Sequence, residues 1–203
     1  MINEIISQFT VALTLVGERA LEILRQPAIN KEMLWILLPS IVALFLMELY
    51  FGRYTKEELG WNSAVGNALV LFFVGMNLAS WLYAHKMLPG LITVESSMFD
   101  IALKKTFIAA FVLAESALLL FLNFFHLVTK RFAFGISSAL IINFVGVMSI
   151  VLVYSDMVID IVTFPALLLI FICMAVFFWF LQALEPKITK TEDEEEDEKV
   201  EKE

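Results

Sequence analysis

The amino-acid sequence predicts an all-α fold: a polytopic bundle of transmembrane helices with an amphipathic helix at its N-terminal end. Two observations predict this class. Hydrophobic residues make up 60% of the 203 residues and charged residues only 18%, whereas soluble domains average roughly 45–50% apolar and about 25% charged residues. The apolar residues also form continuous runs of roughly 20 residues, the length that a helix needs to cross a bilayer.

Residues 1–30 are predicted to form an amphipathic interfacial helix. Between residues 2 and 26 the apolar side chains recur at steps of three and four residues, but Glu18, Arg19 and Glu22 interrupt any run long enough to span. Such a helix lies in the membrane interface with its apolar face towards the acyl chains, or docks on the bundle or on a partner. Pro27 is predicted to end it, because proline lacks the N–H group that continues a helix.

Residues 31–186 hold the predicted five-span bundle, and the lipid bilayer is therefore its first partner. The five apolar runs cover about 33–51, 63–84, 106–128, 133–154 and 161–184. The helix of the third span is predicted to begin before the bilayer, with Lys104 and Lys105 at the level of the lipid headgroups.

The segment 187–203 is predicted to be a disordered acidic tail. Nine acidic residues and two lysines between Glu192 and Glu203 give it a net charge of −7, out of −8 for the whole chain. It has no apolar face to bury, and its charges repel one another. The tail is a candidate binding segment for a basic partner, or it only keeps the protein soluble. The basic residues elsewhere form no patch that predicts nucleic-acid binding.

Catalytic, cofactor and metal sites are not predicted. The single cysteine, Cys173, cannot form a disulfide within the chain, and the two histidines, His85 and His126, are too few and too scattered for a metal site. The sequence holds no Walker A motif, no dinucleotide-binding glycine pattern, and no H-E-x-x-H or G-x-S-x-G motif. These absences predict a protein that is not an enzyme.

Small residues along one face of a span predict close helix packing. They let two backbones approach each other where lipid gives no hydrophobic driving force between helices. Packing within the chain is one interpretation, and contact with an identical subunit or another membrane protein is the alternative. Such stripes occur in the second, third and fourth spans: Gly75 and Ala79; Ala110, Ala114 and Ala117; Gly135, Ala139, Gly146 and Ser149.

Glu115 is the most unusual single residue, because it lies near the middle of the third span. A charged carboxylate at that depth costs roughly 2.5–3.5 kcal/mol, so Glu115 is predicted to face the bundle interior. His126 follows eleven residues later, which places it on the same helix face about 16 Å away. One interpretation is a path for protons or cations. The other is a glutamate that locks helices together through the buried asparagines, which are Asn67, Asn77, Asn123 and Asn143.

Three further carboxylates are weaker candidates. Glu48 lies near the end of the first span, within reach of water. Asp156 and Asp160 are four residues apart, so on a helix they share a face and can bind a cation. A solvated loop is the favoured interpretation of the two aspartates, since no third ligand is evident.

The charges also predict an orientation. Six basic residues flank the bundle on each side, so the positive-inside rule does not decide it. The connection that holds Asp156 and Asp160 has no lysine or arginine and is placed outside, which leaves the C-terminal tail in the cytoplasm of a cell-membrane protein. We expect a non-enzymatic membrane component, such as a scaffold, accessory subunit or organiser. The alternative is a small transporter or channel for ions, protons or solutes that uses Glu115 and the membrane-buried asparagines.

Overall fold

The computed structural model describes residues 2–54, 60–91 and 93–184, so the predicted acidic tail lies outside the described residues. Within those ranges the chain forms seven α-helices and no β-strand, which confirms the all-α fold. The helices are α1 (Ile2–Ile29), α2 (Glu32–Arg53), α3 (Trp61–Ala84), α4 (Phe99–Phe124), α5 (Lys130–Ile136), α6 (Ala139–Tyr154) and α7 (Thr163–Leu184).

Five helical stretches of 22–26 residues are long and apolar enough to cross a membrane, and α1 is not among them. They are α2, α3, α4, the α5–α6 pair and α7, close to the predicted positions. As predicted, α4 begins well before residue 106. It ends four residues earlier than predicted because the backbone turns there: His126 adopts a left-handed φ of 54°, and the Leu127 amide donates to the Leu122 carbonyl.

The fourth span, predicted at about 133–154, is present at Lys130–Tyr154, but it is not one continuous helix. The helix breaks at Ser137 and Ser138, where Ser138 takes an extended backbone conformation (φ −63°, ψ 151°). The neighbouring helix α3 stabilises the break, because the Asn67 side-chain amide donates to the Ser137 carbonyl over 2.7 Å. A side chain thus replaces the helical amide that would otherwise bind this carbonyl, as backbone groups inside a membrane require.

Pro27 does not end α1, contrary to the sequence-based prediction. The helix continues to Ile29, and the Asn30 amide still donates to the Gln26 carbonyl over 2.9 Å. The proline removes only its own amide hydrogen bond, so the last turn closes around it.

The span formed by α5 and α6 lies at the centre of the bundle. In its most apolar stretch 61% of the residues are buried, against 11–28% in the other four spans. α6 packs against α1, α2, α3, α4 and α7, and α3 and α4 form the most extensive helix pair.

The spans run alternately in opposite directions, so their ends form two sides of the bundle. We call the side that holds the starts of α2, α4 and α7 and the ends of α3 and α6 the proximal side, because α1 also packs there. The opposite ends form the distal side.

Small residues bring α3, α4 and α6 into close contact at mid-depth. A Cβ atom placed on Gly75 would lie 2.9 Å from the Leu113 side chain, and one on Gly146 would lie 3.7 Å from Leu71. The surrounding side chains of Leu71, Leu78, Val112 and Ile150 are almost completely buried. The centre of this three-helix interface is therefore tightly packed and mostly apolar, with Ser116 of α4 as a buried polar side chain that donates to the Leu113 carbonyl over 3.0 Å.

Candidate functional site

Polar side chains gather at both ends of the α3–α4–α6 interface. On the proximal side Lys105 is completely buried, and its Nζ lies 5.4 Å from the centroid of the Trp81 ring. Neither Lys105 Nζ nor Trp81 Nε1 has a hydrogen-bond partner among the described residues. We call Lys105, Trp81, Tyr154 and Asn77 the proximal cluster. It contains two buried donors that lack acceptors.

The ring of Trp81 is held by its aromatic neighbours. It stacks on His85 with 4.0 Å between centroids and contacts Tyr154 at 4.7 Å. The Tyr154 hydroxyl donates to Asn77 Oδ1 over 2.9 Å, which links α6 to α3. These contacts fix the indole ring beside the ammonium group of Lys105.

Sequence reasoning missed the proximal cluster, because it did not separate buried Lys105 from its exposed neighbour Lys104. In the structure Lys104 points outwards and pairs with Asp100 at 2.8 Å, whereas Lys105 belongs to the buried stripe of α4. The helical period contains the missing signal, because Lys105 follows Ala102 by three residues and precedes Ala109 by four.

Asn123 is the centre of a second group of polar residues, on the distal side. Its side-chain amide donates to Ser137 Oγ over 2.8 Å and to the Ala64 carbonyl over 3.3 Å. With Asn67, these residues form the helix-break cluster. Asn123 Oδ1 is buried without a partner in the described part of the chain. The cluster holds the broken fourth span against α3 and α4.

Glu115 lies at the edge of the buried stripe of α4 and is half-buried. Its Oε2 atom is buried and has no hydrogen-bond partner among residues 2–54, 60–91 and 93–184. The four asparagines named as possible partners of Glu115 make no hydrogen bond to it in the described structure. They bind instead around Ser137, at Tyr154 and at the Ala139 carbonyl.

His126 does not share a helix face with Glu115, because α4 ends at Phe124. It occupies the left-handed position of the turn that follows, and its ring stacks on Trp61 at 4.1 Å. His126 therefore belongs to the distal surface and not to a path that contains Glu115.

Glu48 joins α2 to α7. The Gln182 side-chain amide donates to both the Glu48 carbonyl (3.1 Å) and its carboxylate (3.0 Å). The residue thus has a packing partner within the membrane-spanning part of the chain. This observation favours a structural role for Glu48.

Asp156 and Asp160 do not share a helix face, because the connection between α6 and α7 is not helical. Asp160 caps α7: its Oδ1 atom accepts hydrogen bonds from the Val162 and Thr163 amides at 3.0 and 3.1 Å. Its other oxygen accepts from Arg19 of α1 over 2.9 Å. Asp156 is exposed and belongs to a separate surface.

Opposing effects act on the pKa of Asp160. Desolvation by its neighbours raises the pKa, but the Thr163 hydroxyl, the Arg19 guanidinium and the two amides lower it, and the result is a pKa below its usual value. The carboxylate is therefore charged at neutral pH and holds α1 to the start of α7.

The predicted small-residue stripes have mixed positions. Gly75, Ala139, Gly146 and Ser149 are buried and Ala79 is half-buried, whereas Gly135 is exposed. Gly135 lies on α5, before the break, so it does not continue the stripe of α6. The three alanines of α4 are also exposed: Ala110, Ala114 and Ala117.

Three surface depressions accompany these groups. The largest, about 600 Å³, is an apolar groove between α4 and α7, with Leu152 of α6, and Lys104 and Asp160 also line it. A second, about 200 Å³, lies between α2, α6 and α7. The third, also about 200 Å³, is more polar and separates α1 from Asp156. Glu115 lines none of these three. The described residues also contain no group of three His, Cys, Asp or Glu side chains able to hold a metal ion.

Comparison of the chain with protein-family models, curated proteins and solved structures found no match.

Proposed function

We propose that this chain is a non-enzymatic membrane component that acts by binding, as a scaffold, accessory subunit or organiser. The observation that carries the proposal is the position of α1. The second half of the helix is fixed to the bundle, whereas its first half exposes apolar side chains beyond it.

Three hydrogen bonds and two buried side chains fix the second half of α1 and its junction with α2. Arg19 donates to the Val158 carbonyl and to Asp160, and Ala20 and Ile23 are buried. Asn30, directly after the helix, donates to the Tyr154 carbonyl over 3.0 Å. Only Asn30 and Lys31 separate α1 from α2, so the bundle sets the direction of α1.

The first half of α1 presents an unburied apolar face. Ile6, Phe9 and Leu13 are 57–68% exposed, and their spacing of three and four residues places them on one side of the helix. Since α1 is tethered to a membrane span, the bilayer interface is within reach of this face. We propose that the face lies at the boundary between headgroups and acyl chains.

The packed centre of the bundle supports binding over transport. The proximal and helix-break clusters are separated by the apolar layer of Leu71, Leu78, Val112 and Ile150, and the Gly75–Leu113 contact closes the same level. A transported ion would need a connected path of polar groups or water at this depth. The polar side chains there are Glu115, at the edge of the buried stripe, and Ser116, whose hydroxyl donates to the Leu113 carbonyl over 3.0 Å.

We place the protein in the cell membrane, with α1 and the Asp156–Asp160 connection outside and the acidic tail in the cytoplasm. The support for this orientation is the connection's lack of basic residues. The tail is proposed to attract a basic partner.

Labelling of α1 tests the proposed interfacial position. In a Cys173→Ala background, Phe9→Cys and Glu18→Cys carry spin labels on opposite faces of the helix. In reconstituted vesicles we expect the label at 9 to contact membrane-soluble oxygen and the label at 18 to contact a water-soluble relaxation agent. Equal access of the aqueous agent to both positions would refute the interfacial position.

A transporter is the second candidate, and the break in the fourth span favours it. Discontinuous helices often mark ion or substrate sites in transporters, and the helix-break cluster supplies amide and carbonyl oxygens there. Proton and monovalent-cation flux in proteoliposomes separates the two functions. A flux that disappears in Glu115→Gln or Asn123→Ala, with the fold retained, would replace the binding proposal.

A further inference from the structure

The proximal cluster contains an unusual combination of groups. Lys105 Nζ and Trp81 Nε1 are both buried donors without an acceptor. The Nζ atom lies over the indole ring that carries Nε1. A buried donor that lacks a partner costs about 1–3 kcal/mol, and a charged one costs more. Cation–π attraction to Trp81 offsets only part of this cost. An acceptor is thus the group that the cluster lacks.

The neighbouring carboxylates do not supply this acceptor. Asp156 is close enough to attract the ammonium group electrostatically, but its side chain is exposed and makes no hydrogen bond to Lys105 in the described structure. The hydroxyl of Tyr154 and the amide oxygen of Asn77 already bind each other. The missing acceptor therefore comes from outside these side chains.

The depth of the cluster indicates what kind of acceptor reaches it. Lys105 is the seventh residue of α4, about 9 Å from the helix start, and Trp81 lies three residues before the end of α3. Both positions are within two helical turns of the proximal helix ends, next to which the headgroup region lies and indole rings are enriched. Phosphate is the abundant anion of that region, and lysine binds it as a point charge.

We propose that Lys105 Nζ and Trp81 Nε1 form a binding site for an anionic phosphate oxygen on the proximal side. The phosphate belongs either to a lipid headgroup or to a free phosphate ion. Next to Lys105, the Thr106 hydroxyl donates to the Met87 carbonyl over 3.1 Å and ties α4 to the residues that follow α3. Exposed His85, stacked on Trp81, borders the indole. This site is independent of the interfacial position of α1.

The test measures thermal unfolding of the full chain in an uncharged detergent. One arm adds sodium phosphate at constant ionic strength, and the other adds phosphatidylglycerol against an equal amount of diacylglycerol, which has no phosphate. At saturating ligand we expect the wild-type melting temperature to rise by roughly 2–6 °C. A rise with phosphatidylglycerol alone assigns the phosphate to lipid, and a rise with sodium phosphate assigns it to the free ion.

Matched variants identify the residues responsible. Lys105→Met removes the charge and should abolish the ligand-dependent rise, while the variant without ligand is as stable as the wild type or more so. Lys104→Gln, next to it but exposed, should keep the rise. Trp81→Phe retains the ring and removes the donor, so it should weaken binding severalfold even if Lys105→Met fails to fold.

Three outcomes would overturn the proposal. The first is no rise with either ligand in the wild type. The second is an equal rise in the wild type and in Trp81→Phe or Lys105→Met. The third is a double-mutant cycle, without any ligand-dependent rise, in which Asp156→Asn destabilises the wild type but not the Lys105→Met variant. Asp156 would then be the acceptor for Lys105.

Discussion

Gly75 of α3 lies against Leu113 of α4 so closely that a Cβ atom on residue 75 would be 2.9 Å from the Leu113 side chain and 3.2 Å from its backbone nitrogen. Gly75→Ala should therefore force the two helices apart and lower the free energy of unfolding by about 1–3 kcal/mol. Unfolding in detergent measures the effect.

Gly66 of the same helix is the matched control. It is exposed, and a Cβ atom there would meet nothing within 4 Å. Gly66→Ala should stabilise α3 by about 0.5–1 kcal/mol, because alanine loses less backbone entropy than glycine. If both substitutions had the same effect, close packing at Gly75 would not be the cause.

Asn123 should be the most sensitive residue of the helix-break cluster. Asn123→Ala removes the bonds to Ser137 and to the Ala64 carbonyl and leaves buried polar groups unpaired, so it should cost about 1–3 kcal/mol of stability. Asn62→Ala, an exposed change on α3, should stay within about 0.5 kcal/mol of the wild type. A neutral Asn123→Ala would show that the break does not depend on this cluster.

The Arg19–Asp160 contact predicts a pH dependence for the attachment of α1. The pKa of Asp160 in the folded state lies below its usual value, so its contribution is fully present above about pH 4. It is lost as the pH falls through the lower, folded-state pKa. Distances between spin labels at Leu21→Cys and Phe164→Cys should therefore be constant near neutral pH and lengthen in acid.

Asp160→Asn should lengthen that distance at every pH and remove the acid-induced step. Asp100→Asn, which removes an exposed pair with Lys104, should leave the step intact. An unchanged step in Asp160→Asn would assign it to another group, of which Glu22, 3.4 Å from Arg19, is the nearest candidate.

Position 86 should favour glycine over the native lysine. It ends α3 with a left-handed φ of 57°, and the following amide, of Met87, donates to the Leu82 carbonyl over 2.8 Å. Glycine has no Cβ and is the usual residue at this position. Lys86→Gly should raise stability by about 0.5–1 kcal/mol, measured by thermal unfolding, and a lower melting temperature would contradict this.

The stability of Glu115 variants tests whether the carboxyl group has a structural partner. Because Oε2 has no partner in the described residues, Glu115→Leu should raise the unfolding free energy by about 1–3 kcal/mol, with Glu115→Gln intermediate. Unfolding of the reconstituted protein measures this order. A large loss of stability in Glu115→Leu would reveal a partner for the carboxyl group.

The five spans could be predicted from the sequence because length and hydropathy are local properties of each segment. The position of α4 followed from its apolar run and the flanking lysines. Pro27 was misjudged because the loss of one amide hydrogen bond did not prevent the residues that follow it from continuing the helix.

Only the tertiary structure decided the contacts between residues that are distant in sequence. The carbonyl at the Ser137 break is bound by Asn67, 70 residues away in sequence, and Asp160 at the start of α7 is bound by Arg19, 141 residues away. The burial of Lys105 likewise depends on the packing of α3 and α6 around α4. Hydropathy determines that a segment enters the membrane, but the neighbour that satisfies each polar group is chosen only when the helices pack.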